Sequence, residues 1–387
     1  MGVGVGEVVN YTNTTSGTAT GVVDSTSVGG QYTYVAFSSA FSPASLFAAG
    51  EQGAWYDPSD LTTLFQDSAG TTPVTLSPME QPVGLMRDKS GRNNHAFQAT
   101  TTNRPLLSAR VNLLLATATL STQSVTSQAT NYTLSFTGTG TVTLSGTATA
   151  TLSAGSNTFT ATAGTLTLTV SGSVTLADLR PTNSGALLPP YQRVTTATDY
   201  DTAGFPLYLK CNGTSSAMST NSINFTATDK MTVVTGVRKL SDTGYGMIVE
   251  LSNAWDMLNT GTFAVSGSNT TRHRFGTAGT TAAYYDASTY VSPISNVLTL
   301  LSDIGQSGIS TEIIPRINGI VNQTNPNGTS CGTGTFGNYP LYLFARAGTS
   351  LQLSGYFYGA VIRGATTDTA ALTSTENYMA QKTGITF

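Results

Sequence analysis

The stretch Phe159–Gly172, FTATAGTLTLTVSG, decides the fold class of this chain. Between Thr165 and Ser171, threonine alternates with leucine and valine. A period of two places the apolar side chains on one face of a β-strand and the threonine side chains on the other. The stretch Phe136–Gly146, FTGTGTVTLSG, is similar and indicates a weak internal repeat. Both stretches are typical of a half-buried β-sheet.

These two stretches lie in a block of unusual composition. From Val111 to Ala177 the chain has no charged residue, no histidine and no proline. Low-complexity disorder is the alternative interpretation, but disordered segments are usually rich in charge and poor in β-branched residues. We therefore predict a small β-sandwich over residues 111–185. Its strands lack the lysine and proline residues that usually protect sheet edges, which favours an oligomer.

The rest of the chain also alternates strand-forming residues with turn signals. A further strand is predicted at Gln31–Phe37, and one helix at Asp368–Lys382. The dipeptides Asn212-Gly213 and Asn318-Gly319 are hairpin signals at strand ends. The other predicted strands are Tyr132–Phe136, Thr141–Ser145, Thr165–Ser171, Leu207–Cys211, Met231–Val237, Gly246–Leu251, Thr262–Ser266, Ile313–Ile317, Leu341–Ala345 and Gly355–Arg363.

Charged residues are scarce throughout the 387 residues. Only 10% are Asp, Glu, Lys or Arg, against roughly 25% in an average soluble protein. With 17 basic residues and a formal net charge of -3, the chain has no footprint for nucleic-acid binding. No run of about 18 apolar residues predicts membrane insertion, and the first residues show no signal-peptide pattern. Cys211 and Cys331 are too few for a disulfide scaffold and are expected to be small buried hydrophobic residues.

Two segments, one soon after residue 50 and one near the C-terminus, resemble the same known family. Gly53–Val74, GAWYDPSDLTTLFQDSAGTTPV, followed by Gln81–Thr100 and Asn103–Leu107, is similar to the opening of a concanavalin A-like, laminin-G-like jelly-roll domain. This form of the domain is common in virion and prophage proteins of tailed phages. Leu341–Ala365 and Thr373–Gly384 resemble the last strands and the terminal helix of the same domain.

The resemblance implies an all-β protein with a lectin-like jelly-roll sandwich and a short C-terminal helix. The block Asn112–Thr202 resembles a charge-poor, carbohydrate-binding-module-like sandwich of the kind inserted in such domains. Residues 51–110 hold too few strands to close a sandwich alone, so the jelly roll needs both ends of the chain. The predicted domains are a virion-anchoring arm at 1–50, the first part of the jelly roll at 51–110, the inserted smaller β-sandwich at 111–185 and the second part at 186–387.

The same resemblance implies a bacteriophage virion structural protein, assembled in the host cytoplasm. Our first prediction is a tail fibre or spike whose lectin-like domain attaches to a host-surface glycan. One alternative is a capsid decoration or head-fibre protein with a purely structural role, and another is a secreted glycan-binding protein. The resemblance also implies a homotrimer that binds other virion proteins. The charge balance and the lack of a long apolar run predict neither nucleic acid nor a membrane as partner.

Sugar-binding sites usually pair an aromatic platform with amide and carboxylate groups, because apolar sugar faces stack while hydroxyls form hydrogen bonds. The alternative interpretation is that the aromatic residues pack in the core or against a hairpin. Arg272, His273 and Arg274 form the densest basic spot, which suits an acidic glycan, a solvated strand or a subunit contact. The predicted carbohydrate-binding residues are Asn253, Trp255 and Asp256, and Tyr284, Tyr285 and Asp286.

Oxygen ligands from Asp57, Asp60, Asp88 and Asn93 form a candidate calcium site. The alternative is that the three aspartates cap turns by accepting hydrogen bonds from nearby N–H groups. His95 is expected to pack or form hydrogen bonds within the fold. Catalysis is not expected, because the six glutamates do not form the E-x-D-x-(x)-E strand pattern of jelly-roll glycanases, and no G-x-S-x-G motif is present.

Overall fold

The computed structural model describes residues 8–13, 17–22, 41–75, 80–109, 112–182, 191, 193–194, 207–253, 260–268, 270–383 and 385. The chain divides into two units, 1–42 and 43–387, and each is described by itself. In the first unit, β1 (Val8–Asn13) pairs with β2 (Gly17–Val22) as an antiparallel hairpin. The predicted strand Gln31–Phe37 lies outside the described residues. The second unit begins at Pro43, inside the predicted arm, and Leu46 and Phe47 are buried in it.

Ten strands of the described residues form one antiparallel sheet in the second unit. In the strand Arg272–Ala278, Phe275 is buried in the core while its neighbour Arg274 remains partly exposed, as alternation requires. In order across the sheet the strands are β23 (Pro326–Asn327), β19 (Ala282–Ser288), β18 (Arg272–Ala278), β17 (Thr262–Gly267), β16 (Gly246–Leu251), β24 (Asn338–Leu343), β14 (Met218–Asn224), β6 (Ala96–Phe97), β5 (Leu85–Met86) and β4 (Leu64–Phe65).

Eight further strands among the described residues form a second antiparallel sheet. Its order is β22 (Ile320–Val321), β21 (Ile313–Ile317), β20 (Ile294–Asp303), β15 (Lys230–Lys239), β25 (Ser354–Arg363), β13 (Leu207–Asn212) and β7 (Leu106–Ala109), and β3 (Gly53–Tyr56) also pairs with β25. The pairing of β3 with β25 joins the opening and closing motifs of the sequence. Phe263 and Phe275 of the first sheet share one hydrophobic core with Leu298 and Phe357 of the second. The fold is therefore an all-β sandwich.

The charge-free block and the few residues after it form a separate sheet, which we call the threonine-rich module (residues 112–182). Its strands are β8 (Gln123–Ser127), β9 (Thr130–Gly146), β10 (Ala150–Ala161), β11 (Gly164–Ser171) and β12 (Thr175–Pro181). Leu166 and Leu168 are fully buried while Thr167 between them is not, as the alternating pattern predicts. The buried core of the module shares no residue with the core of the sandwich.

The two strands predicted at Tyr132–Phe136 and Thr141–Ser145 are one continuous strand, β9. Gly138 and Gly140 do not form a turn between them. A Cβ at Gly138 would lie 2.2 Å from the carbonyl oxygen of Ser173, and one at Gly140 would lie 2.4 Å from that of Ser171. These glycines therefore permit the close approach of a neighbouring backbone rather than a chain reversal.

Two helices of the described residues follow strands of the sandwich, α1 (Ile309–Glu312) and α2 (Thr369–Thr383). Helix α2 confirms the predicted C-terminal helix, and the Asp368 side chain accepts a 2.9 Å hydrogen bond from the Ala371 N–H at its start. Short 3-10 helices lie at Pro43–Phe47, Leu61–Thr63 and Thr101–Asn103. Among the described residues, no helix has the length and apolar character needed to cross a membrane.

The hairpin signal Asn318-Gly319 is confirmed. Ile317 pairs with Ile320, and Asn318 and Gly319 have φ angles of 50° and 75°, the left-handed conformations of a two-residue hairpin turn. The strand predicted at Leu341–Ala345 is shifted and runs as β24. Cys211 and Cys331 are free and buried, which confirms that prediction.

Candidate functional site

The four predicted calcium ligands do not form a metal cluster. Lys89 bridges two of them, with its Nζ 2.7 Å from Asp60 Oδ2 and 3.4 Å from Asp57 Oδ2. Asp88 accepts hydrogen bonds from backbone N–H groups, including that of Trp55 at 2.8 Å. Each of the three aspartates also accepts a hydrogen bond from the N–H two residues later, as the turn-capping alternative predicts. Within the part of the chain that the structure describes, no group of three or more His, Cys, Asp or Glu residues is arranged to hold a metal ion.

Asp57 instead joins strand β3 to helix α2. Asp57 is 4% exposed, and its carboxylate accepts hydrogen bonds from the Tyr378 hydroxyl at 2.7 Å and from Lys382 Nζ at 3.0 Å. Burial raises the pKa of Asp57, but the Lys382 ammonium and the hydrogen bonds from Ser59 and Tyr378 outweigh it and lower the pKa to about 2. The ionised carboxylate therefore stabilises the docking of α2.

We expect Asp57→Asn to lower the free energy of unfolding by about 2 kcal/mol at neutral pH. Because the folded-state pKa of about 2 lies below the ordinary value of 3.8, this stabilisation is fully present above about pH 4 and is lost as pH falls through about 2. Urea unfolding of wild type and variant between about pH 7 and pH 2 should show the difference shrinking over that window. Asp60→Asn, at a more exposed carboxylate of the same loop, is the control. A difference that does not change with pH would contradict this role.

Only part of the predicted carbohydrate-binding set lies at the surface. Tyr285 is 3% exposed and belongs to the core, so its prediction as a sugar ligand is wrong. Its neighbours Tyr284 and Asp286 lie on the opposite, outer face of β19, since side chains alternate along a strand. Asn253 is exposed just after β16, whereas Trp255 and Asp256 lie outside the described residues.

Arg274 joins Tyr284 and Asp286 on this outer face. The pairing of β18 with β19 sets Arg274 opposite Asp286, and their two hydrogen bonds measure 2.7 Å (Nε to Oδ1) and 2.8 Å (Nη2 to Oδ2). The guanidinium lies 4.0 Å from the ring centroid of Tyr284 and 5.0 Å from that of Tyr245. We call Arg274, Tyr284 and Tyr245 the arginine–tyrosine stack. Charge and aromatic contacts together hold it in one geometry.

Arg272 is the available cation beside the stack. Its side chain is 41% exposed, and its Nη1 lies 3.8 Å from Asp286 Oδ2, which is beyond hydrogen-bonding distance. His273 points the other way and is 1% exposed; burial and the nearby Lys239 ammonium lower its pKa to about 3, so it is neutral at pH 7. Of Arg272, His273 and Arg274, only the two arginines are therefore charged at pH 7, and Asp286 already neutralises Arg274.

A polar pocket of about 220 Å³ adjoins the stack at the end of the sandwich. Its lining comes from both sheets and from the loop between β15 and β16. Tyr245 belongs to the pocket and to the stack. We call it the sandwich-end pocket; its polar side chains include those of Lys239, Ser241, Thr243, Gln352 and Ser354.

Several groups in the sandwich-end pocket retain hydrogen-bonding capacity. Gln352 donates from Nε2 to the Thr349 carbonyl, which leaves its Oε1 as an acceptor. Among the described residues, the hydroxyls of Tyr245 and Ser354 have no partner. Lys239 at the base is held by Asp242, with 2.7 Å between Nζ and Oδ1. Sequence reasoning missed Tyr245, although its position between two glycines in a polar loop was a usable signal.

Comparison with known proteins gives similarities to solved structures alone. No family model and no curated protein matches this chain. Ruminococcus gnavus IT-sialidase CBM40 bound to alpha2,3 sialyllactose has a TM-score of 0.30 and 14% identity, over 38% of this chain and 83% of that one. The binding domain of Botulinum Neurotoxin DC in complex with SialylT has a TM-score of 0.33 and 10% identity, over 46% and 43%.

Trypanosoma rangeli sialidase in complex with the inhibitor DANA has a TM-score of 0.33 and 13% identity, over 46% of this chain and 27% of that one. Identities and TM-scores this low transfer neither a ligand nor an activity to this chain.

Proposed function

We propose that this chain is a non-enzymatic, glycan-binding structural protein of a tailed-phage virion. The glycan assignment rests on one observation: the sandwich-end pocket shares Tyr245 with the arginine–tyrosine stack. The virion assignment rests on the resemblance of Gly53–Val74 and Leu341–Ala365 to the opening and closing of phage jelly-roll domains. The two parts are separable, because the pocket is argued from its own side chains.

The pocket has the chemistry that a sugar residue needs. An apolar sugar face stacks on an aromatic ring, and its hydroxyls exchange hydrogen bonds with hydroxyl and amide groups. Tyr245 supplies the ring, while Ser241, Thr243, Gln352 and Ser354 supply the polar groups. A volume of about 220 Å³ lies below the ~300–1,000 Å³ of sites for larger ligands. The pocket therefore suits one sugar residue rather than a long chain.

Arg272 favours an acidic sugar. Arg274 already has a carboxylate partner, but the exposed Arg272 makes no hydrogen bond to Asp286 at 3.8 Å. A guanidinium can bind a carboxylate through two parallel hydrogen bonds, which are stronger than bonds between neutral groups. We therefore propose a host-surface glycan with a carboxylated sugar, whose acidic group pairs with Arg272.

The arrangement of carboxylates supports a non-enzymatic role. A general acid needs a raised pKa, and a nucleophile needs access to substrate. The buried carboxylates of the described residues are instead held by cations or by N–H and hydroxyl donors. They are Asp57 with Lys382, Asp88 with backbone N–H groups, Asp178 with Arg180, Glu250 with Arg346, Asp286 with Arg274, Glu312 with Ser330, and Glu376 with Arg316.

Attachment to other virion proteins through residues 1–50 and assembly as a homotrimer stay predictions. A capsid decoration or head-fibre protein with a purely structural role needs no glycan. Glycan binding therefore distinguishes that alternative from a tail fibre or spike. A secreted glycan-binding protein would share the pocket but would not be found in particles.

We expect Arg272→Gln to weaken binding of acidic glycans by about 10-fold or more and to leave their neutral counterparts unaffected. The measurement is an array that pairs each acidic glycan with its neutral counterpart, followed by calorimetry on the glycan that binds most tightly. Lys230→Gln is the matched control, since that side chain is 39% exposed and lies at the far end of β15 from Lys239. That distance is roughly 30 Å for a strand of this length. Equal losses in the two variants, or no glycan bound on the array, would contradict the proposal.

A further inference from the structure

A second polar groove, which we call the β5–β6 groove, lies far across the ten-stranded sheet from the arginine–tyrosine stack. In that sheet β5 and β6 are separated from β18 and β19 by four strands. The groove has a volume of about 610 Å³, nearly three times that of the sandwich-end pocket. Its lining includes the side chains of Ser68, Arg87, Asn93, His95, Phe97 and Asn221. The Asp88 carboxylate also lines it, but Asp88 is only 9% exposed and accepts hydrogen bonds from N–H groups of its own loop.

Most of these side chains have hydrogen-bonding groups that the protein does not use. The Arg87 guanidinium lies over the Phe65 ring, 4.4 Å from its centroid, and has no acceptor partner among the described residues. Among the described residues, the side-chain amides of Asn93 and Asn221 and the hydroxyl of Ser68 also have no hydrogen-bond partner. His95 accepts a 3.1 Å hydrogen bond from the Asp88 N–H at Nδ1, which leaves Nε2 for a ligand.

The loop that carries Asn93 is held in place by its neighbours. The Asp88 carboxylate accepts hydrogen bonds from the N–H groups of Ser90 at 2.8 Å and Asn94 at 3.0 Å. The Asn94 amide donates a 2.7 Å hydrogen bond to the Gly53 carbonyl. Asn93 itself has a left-handed backbone, with φ of 60°. A ligand that binds Asn93 therefore orders little new structure, which lowers the entropic cost of binding.

We propose that the β5–β6 groove is a second carbohydrate-binding site, which takes an acidic oligosaccharide segment with its carboxylate at Arg87. Phe97 supplies an apolar surface for a sugar face, and Asn93, Asn221 and His95 supply partners for hydroxyls. The groove volume suits several sugar residues rather than one. This inference takes its ligand class from the proposed function, but it concerns a different set of residues.

The test is calorimetry on the full-length protein with one probe, the acidic glycan that binds most tightly on the array, and with its carboxyl methyl ester for comparison. Wild type should bind the acidic glycan at two sites per chain. The double variant Arg87→Gln/Asn93→Gly should lose one site, with its affinity reduced about 10-fold or more, and keep the other. Glycine at position 93 keeps the left-handed backbone accessible. Arg272→Gln should show the reverse pattern.

Asn221→Ser, a small change at an exposed position of β14, is the second groove variant, and it keeps the test valid if the double variant folds poorly. It should weaken the groove site alone. Unchanged stoichiometry and affinity in the folded groove variants would overturn this inference and leave the sandwich-end pocket standing. Loss of all binding in the groove variants, with no change in Arg272→Gln, would support the groove and overturn the assignment of the pocket.

Discussion

Replacing Arg316 by methionine should lower the free energy of unfolding of the sandwich by about 3–5 kcal/mol. Arg316 lies on β21 and binds Glu376 of helix α2 through two hydrogen bonds, 2.8 Å from Nε to Oε1 and 3.0 Å from Nη2 to Oε2. Glu376 is 1% exposed. Without Arg316, this buried carboxylate keeps the Thr299 hydroxyl as a partner at 2.8 Å but has no charge to balance it. An unpaired buried charge costs far more than the pair itself contributes.

The double variant Arg316→Met/Glu376→Leu is the control for this prediction. It removes both charges and should recover most of the lost stability, because no isolated charge remains buried. Urea unfolding of wild type, both single variants and the double variant gives the coupling free energy between the two residues. If the double variant is as unstable as Arg316→Met alone, the loss comes from packing and the account of the ion pair is wrong.

Leu134→Ala should destabilise the threonine-rich module by about 2–5 kcal/mol without destabilising the sandwich. Leu134 is fully buried in the module core, where β9 pairs with β10 on one edge and β12 on the other. Because that core shares no residue with the core of the sandwich, the cavity left by the substitution affects the module alone. Calorimetry should show two unfolding transitions, of which one moves to lower temperature.

Leu298→Ala is the matched variant in the sandwich core and should move the other transition. Deleting residues 111–185 and joining the ends with a short linker should leave a folded sandwich with one transition. A single transition that both leucine variants shift would mean that the two cores unfold together. The proposed insertion of one domain into the other would then be wrong.

Short-range patterns predicted some of the strands, among them β15 and β25, but missed β18, β19 and β20. Alternation identified β11, and strands β16 and β21 begin and end where the sequence placed them. The Asn318-Gly319 turn and the Asp368 cap follow from the local conformations that these residues favour. Such features depend on residues a few positions apart, which a single sequence displays.

The site depends on contacts that a single sequence does not display. Tyr284 and Tyr285 are adjacent and chemically alike, and only the register of β19 decides which one enters the core. Tyr245 meets Arg274 across the sheet, and Asp57 meets Lys382 after 325 positions. The sequence analysis divided β9 into two strands, because the close approach of the Ser171–Ser173 backbone to Gly138 and Gly140 is a long-range feature.

The most direct test of glycan binding is a crystal structure of the full-length protein with the acidic glycan that binds most tightly on the array. We predict a sugar residue in the sandwich-end pocket, stacked on Tyr245, with its carboxylate within hydrogen-bonding distance of Arg272. A crystal in which the glycan leaves that pocket empty and binds elsewhere would contradict the account.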